Sequence, residues 1–275
     1  MMESMCIDTP GWNVTFHDDF LGTALNPLHW SALNNATHGS TERQLYMADE
    51  VAVADGALTI TTRRRAAIST TGASYNFTSG WVESKGLAFQ EGGRFEVRAK
   101  LASPASGRKG MWPDAWPAHW LMPEPSTSVP VNVCWPMGGE IDIMEGFRPR
   151  GADNNPLRDS VLFTYHWAKE CGKDLYNGGN ERWPLANDTV TDVDWSGAFH
   201  TFGVEWRRDS IEWFVDGVSH HKRVAGTPAS LFVPRMPFYM IINSALTPWS
   251  NSELDMGYPM KHVIDRVTWC APVEE

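Results

Sequence analysis

Apolar and polar residues alternate with a period of two along much of this chain, and no stretch of note carries the 3.6-residue period of a helix. Ala57-Leu58-Thr59-Ile60-Thr61-Thr62 alternates in this way, and so does the run from Gly93 to Leu101. Short apolar runs predict further strands at Leu45–Met47, Val51–Ala54, Val161–Trp167, Phe199–Trp206, Ile211–Asp216, Phe238–Ala245 and Val263–Val267. Asp55-Gly56, between two such runs, is a hairpin-turn signal. In the stretch from Trp112 to Met122, Trp116, Ala118 and Trp120 share one face, and Pro117, His119 and Leu121 share the other. One of these faces packs into a core and the other lines a cleft. Many short strands separated by turn residues predict an all-β sandwich. Residues 1–12 read as a loose N-terminal arm and residues 13–275 as a single domain.

The chain has 275 residues, 42% of them hydrophobic, enough for one large core. Its 14 tryptophans exceed what a core of this size needs, and sugar-binding clefts use the surplus because the C–H faces of sugars stack on rings. The formal net charge of -10 argues against nucleic acid and anionic membranes as partners. No apolar run approaches the ~20 residues that span a bilayer. No signal peptide is visible in the first ten residues. Four cysteines permit two disulfides in three connectivities. Cys6 and Cys270 lie near the termini, and Cys134 and Cys171 flank an acidic motif, so this pairing is preferred, with free buried thiols as the alternative. Sequons at Asn13, Asn35, Asn76 and Asn187 fit a secreted glycoprotein.

The acidic motif is Gly138-Gly-Glu-Ile-Asp-Ile-Met-Glu-Gly146, with three carboxyls at Glu140, Asp142 and Glu145. In a regular strand Glu140 and Asp142 share a face and Glu145 points away. One extra residue at Ile143–Met144, a β-bulge, swings Glu145 back to join them. Carboxyls this close repel, and at least one pKa rises. Glycoside hydrolysis needs such a set: one carboxylate attacks the anomeric carbon and another protonates the leaving oxygen. An exposed strand face with three solvated acids is the plainer reading, but like charges along one face destabilise a surface strand.

The motif resembles the bulged Glu-x-Asp-x-x-Glu signature of glycoside hydrolase family 16, in the form typical of laminarinase-like endo-β-1,3-glucanases and of agar- and carrageenan-cleaving relatives. The resemblance runs from residue 16 to residue 269. It includes the opening Phe16–Asn26 segment, Thr78-Ser79-Gly80-Trp81 leading to Lys85-Gly86, the strand from Trp112 to Met122, and Asn243-Ser244-Ala245. Trp81 departs from the pattern, standing where laminarinases usually carry a substrate-binding Arg. The resemblance implies a jelly roll of two curved antiparallel sheets, with the acids on a concave face in an open cleft. It implies Glu140 as nucleophile, Glu145 as general acid/base, and Asp142 as the residue that holds and tunes the nucleophile. It also assigns Trp116 and Trp120 to sugar stacking, places His166 near the acid/base, and puts Trp249 in the cleft. Trp135, just ahead of the acids, is expected to be a platform beside the scissile bond, and His119 a satisfied structural histidine. Catalysis needs no cofactor. Many relatives hold a structural Ca²⁺, and Asp265 and Gly56 match those positions, with a solvated Asp265 as the alternative.

The expected protein is a secreted, monomeric, retaining endo-β-1,3-glucanase acting on laminarin-like polysaccharide. The alternatives are the same chemistry on an algal galactan, transglycosylation of β-glucan, and a non-catalytic glucan-recognition protein. Recognition proteins of the family typically lose the acids, and all three are present here.

Overall fold

The structure is a computed structural model that describes residues 6–39, 42–104, 115–125, 134–146, 161–168, 170–172, 189–190, 194–225, 233–246 and 257–273. These residues form a sandwich of a ten-stranded and a seven-stranded sheet, with two 3₁₀ turns and no α-helix among them. The larger sheet is built around the closing strand Met260–Pro272. One side of that strand pairs with Gly93–Pro104; the other pairs first with Ala57–Ile68 and then with the opening strand Trp12–Asp18. In the smaller sheet, Glu140–Gly146 lies between Ala115–Pro123 and Val161–His166, and Phe238–Leu246 follows beyond. The pairing is antiparallel except at Gln44–Tyr46, which runs parallel to Ser74–Ser79.

Period-two patterning explains the layering. Phe95, Val97, Ala99 and Leu101 of the larger sheet, and Leu121, Ile141 and Phe163 of the smaller, are fully buried in one core with Trp206, Trp213 and Trp269. The Asp55-Gly56 hairpin turn forms, and a second one forms at Asp216-Gly217. Asp55 and Gly56 have φ of 54° and 72°, and Asp216 and Gly217 have 50° and 76°, the positive values that a tight two-residue turn requires.

The termini are tied together. Cys6 is buried and bonded to Cys270, with Cα atoms 6.3 Å apart. Its backbone N–H donates to the Glu96 carboxylate at 3.0 Å. The expected loose arm is therefore anchored from Cys6 onward. The second disulfide joins Cys134 and Cys171, with Cα atoms 5.4 Å apart.

His119 is fully buried between the sheets, where its Nε2 lies 3.0 Å from Nε2 of His262 on the closing strand. The histidine read as a satisfied structural one has its partner 143 residues away. One ring donates and the other accepts, and burial pushes the pKa of each down, which favours the neutral form of both.

Candidate active site

The acid strand contains the expected bulge. Glu140 faces His166 and Asp142 faces Thr164, but Glu145 faces Leu162, a slip of one position. The same slip occurs against Ala115–Pro123 between Asp142 and Met144, so the extra residue is Ile143. Ile141, Ile143 and Met144 are fully buried in the core, while Glu140, Asp142 and Glu145 line one cavity. The opposite sheet fastens the slip point: the indole N–H of Trp213 donates to the Asp142 carbonyl at 2.8 Å. Just before the strand, Gly139 has φ of 85°, and a Cβ there would sit 3.3 Å from the Tyr165 ring.

Each carboxyl has its own partners. Glu140 Oε2 accepts from the Trp135 indole at 2.6 Å. Asp142, only 3% exposed, has Oδ2 3.3 Å from Nε2 of His166. Glu145 accepts from the Trp116 indole at 3.0 Å and from the Thr164 hydroxyl at 3.2 Å. No lysine or arginine lines the cavity among the described residues. All three acids are pushed above their ordinary pKa values. Burial is the largest cause; Asp142 adds repulsion on Glu140, Glu145 on Asp142, and Glu140 on Glu145. His166 pulls each of them partly back. The cluster therefore retains protons at pH values where free carboxylates have lost them, which lets one carboxyl act as an acid while another stays charged.

The cavity has a volume of about 310 Å³, and Trp116, Trp120, Trp135 and His166 all line it. Trp135 is 45% exposed and presents a free ring surface. Its loop is pinned by the neighbouring Cys134–Cys171 disulfide and by the Gly172 N–H, which donates to its carbonyl at 3.0 Å. Trp120 is only 7% exposed; its indole donates to Asn243 and its ring meets Trp81 edge-on. Trp120 therefore forms the cavity wall more than a free stacking platform. Trp81 is itself buried, with its indole bonded to Glu83. Trp249 lies outside the described residues. His38, Glu42 and Asn243 also line the cavity, and sequence reasoning did not assign them there. His38 and Glu42 sit in a polar stretch without periodicity, so no sequence signal pointed to them.

The residues expected to hold calcium lie on the other sheet. Asp265 forms an ion pair with Arg98 through Oδ2, while its Oδ1 is buried without a hydrogen-bond partner. Gly56 turns the hairpin into Ala57–Ile68, which pairs with the closing strand as far as Leu58 opposite Ile264. The orphan Oδ1 fits a cation ligand, although Arg98 already balances the charge.

Residues 39–261 match the model of the glycosyl hydrolases family 16. The chain belongs to this family. Among its relatives, a β-glucanase of Rhodothermus marinus is 30% identical over 94% of this chain and 85% of its own length. A glucan endo-1,3-β-glucosidase of Cryptopygus antarcticus is 31% identical over 76% of this chain and 68% of its own. The crystal structure of an endo-β-1,3-glucanase from Pyrococcus furiosus superposes with a TM-score of 0.73 at 25% identity, covering 96% of each chain. This family 16 protein is thus a glycoside hydrolase.

Proposed function

We propose that the enzyme cleaves internal β-1,3-glucosidic bonds of laminarin-like glucans with retention of configuration. The observation that carries this reading is the bulged strand, which turns three carboxyls toward one cavity walled by tryptophan and free of lysine and arginine among the described residues. Glu140 attacks the anomeric carbon, and the Trp135 indole steadies its second oxygen. Asp142, beside it and against His166, holds the nucleophile and tunes its charge. Glu145, held by Trp116 and Thr164, protonates the departing oxygen and then withdraws a proton from the water that releases the glycosyl-enzyme. An exposed Trp135 ring supports a sugar beside the bond being broken.

Reducing ends released from laminarin, lichenan, agarose, porphyran and carrageenan test the substrate; laminarin should respond most strongly and yield a ladder of oligosaccharides. Greater release from a galactan would move the assignment to that polymer. NMR of the first-formed product tests the stereochemistry, since a β-anomer is expected and an α-anomer from a β-linked substrate means inversion. Glu145→Gln should retain its first step on a substrate with an activated leaving group, with azide rescuing the second.

Two disulfides, and the exposed sequons at Asn13 and Asn76, support a secreted enzyme. A structural Ca²⁺ on Asp265 Oδ1 and the Gly56 backbone completes the proposal. Chelation should lower the melting temperature and calcium should restore it; no change counts against the site.

A further inference from the structure

The cavity contains a second polar cluster that this mechanism does not use. Glu42, whose side chain is 10% exposed, accepts three hydrogen bonds. The Tyr46 hydroxyl and the Gln44 amide donate to Oε2 at 2.8 and 2.6 Å, and His38 Nδ1 donates to Oε1 at 3.1 Å. Tyr46 in turn accepts from the Asn243 amide at 2.9 Å, and Asn243 accepts from the Trp120 indole at 2.9 Å. The carboxylate is therefore anchored by a continuous network reaching the cavity wall. Its effect is to fix His38. That ring packs 5.1 Å from Trp81 and 5.4 Å from Trp120, with 53% of the side chain exposed. Among the described residues, nothing bonds to its Nε2.

The partner determines what that nitrogen can do. A carboxylate only accepts, so Nδ1 of His38 carries the proton. In the neutral ring Nε2 is then an acceptor, and in the protonated ring it is a donor. A sugar hydroxyl pairs with either form. A sulfate or carboxylate substituent pairs only with the protonated form, and it also meets repulsion from Glu42 and Glu140.

We propose that His38, braced by Glu42, is a positioning residue that bonds through Nε2 to a hydroxyl of the sugar bound beside Glu140, and so selects a neutral, unesterified sugar there. The proposal rests on the glycanase reading above and names a selectivity of that same site. The groups that set the ring's charge are Glu42, which favours the cation most, Glu140, which favours it less, and burial, which opposes both. Titration reverses the direction of the hydrogen bond to a hydroxyl but does not remove it.

The test compares wild type, His38→Phe, His38→Gln and Glu42→Gln on an oligosaccharide of whichever polymer the wild type cleaves, at pH 5 and pH 8. His38→Phe keeps a ring against Trp81 and Trp120 but loses the hydrogen bond. Its KM should rise about tenfold at both pH values while kcat stays within about twofold, as for an interaction equally strong in ground and transition states. His38→Gln retains a polar group and should stay within about threefold of the wild-type KM. Glu42→Gln keeps a hydrogen-bond partner without its charge and should raise KM by less than His38→Phe. A sulfated form of the same oligosaccharide should have a KM at least tenfold above the parent's at pH 8, with a smaller gap at pH 5. An unchanged KM in His38→Phe overturns the proposal, as does an equal rise in His38→Phe and His38→Gln, which would mark a purely structural role. Equal KM values for the sulfated and neutral sugars overturn the selectivity. If the cleaved polymer is not a β-1,3-glucan, the substrate reading falls while these comparisons still decide the role of His38.

Discussion

The protein holds acidic side chains in two different ways. Glu96 is fully buried in the larger sheet, ion-paired with Arg94 at 2.7 Å and capped by the Cys6 N–H. Glu50 is also buried, with Arg63 at 2.7 Å, Arg65 at 3.2 Å and the Thr78 hydroxyl at 2.6 Å. Each has a fixed guanidinium. Glu140, Asp142 and Glu145 share two indoles, a hydroxyl and one imidazole instead, with no lysine or arginine lining their cavity among the described residues. A guanidinium would pull the three acids toward their charged forms, as Arg94 does for Glu96, where burial still leaves the pKa raised. Indoles and a titratable imidazole leave them free to exchange protons, which acid–base catalysis requires and structural acids do not.

The largest effect should separate the two groups outright. Glu140→Gln should lower turnover by on the order of 10⁴-fold or more with the fold intact, because the amide fills the space but cannot attack. Glu96→Gln should leave turnover per folded molecule unchanged and lower stability by about 3 kcal/mol, because it breaks a buried pair. Steady-state kinetics and denaturant unfolding on both variants check this, and a catalytic defect in Glu96→Gln would break the distinction.

The next effect is on stability against pH, and it has opposite signs in two regions. His119 and His262 have folded pKa values below the unfolded 6.5, with His262 at about 3. The unfolded chain binds more protons below pH 6.5, so stability is complete above that pH and is lost as pH falls toward the folded values. At pH 5 the loss should be about 2 kcal/mol for one ring, and His119→Leu combined with His262→Leu should flatten the acid limb of a plot of melting temperature against pH. Glu140 has the reverse linkage. Its folded pKa is raised above 4.5, so the folded state binds more protons and stability falls as pH climbs past 4.5. Glu140→Gln should therefore be the more stable protein at pH 8, by on the order of 1 kcal/mol, with little gain at pH 4. A gain independent of pH would show that the carboxyl's charge is not its source.

The smallest effect should come from the second disulfide. Cys134→Ser with Cys171→Ser frees the loop that holds the Trp135 indole against Glu140. KM should rise by about threefold, with a smaller change in kcat, since ordering a loop on binding costs affinity.

The sequence by itself determined the elements and the bulged acid strand. Alternation specifies strands, Asp-Gly pairs specify tight turns, and three acids among Ile141, Ile143 and Met144 are compatible with one cavity only if the strand bulges. These are local properties, fixed by the chirality of the backbone and the pattern of burial. The tertiary structure decided everything that depends on which distant residues meet. Trp116 and Trp120 share a face in sequence, yet one holds Glu145 and the other is packed against Trp81 and bonded to Asn243. The Trp213 indole that secures the bulge lies 71 residues from the carbonyl it bonds. His119 reads as a lone polar residue in a strand until the closing strand brings His262 to it across the sandwich. Glu42 and His38 line the cavity with Asn243, which bonds to Tyr46 from 197 residues away. A period of two states which face a side chain takes; only the packing of one sheet against another states what waits there.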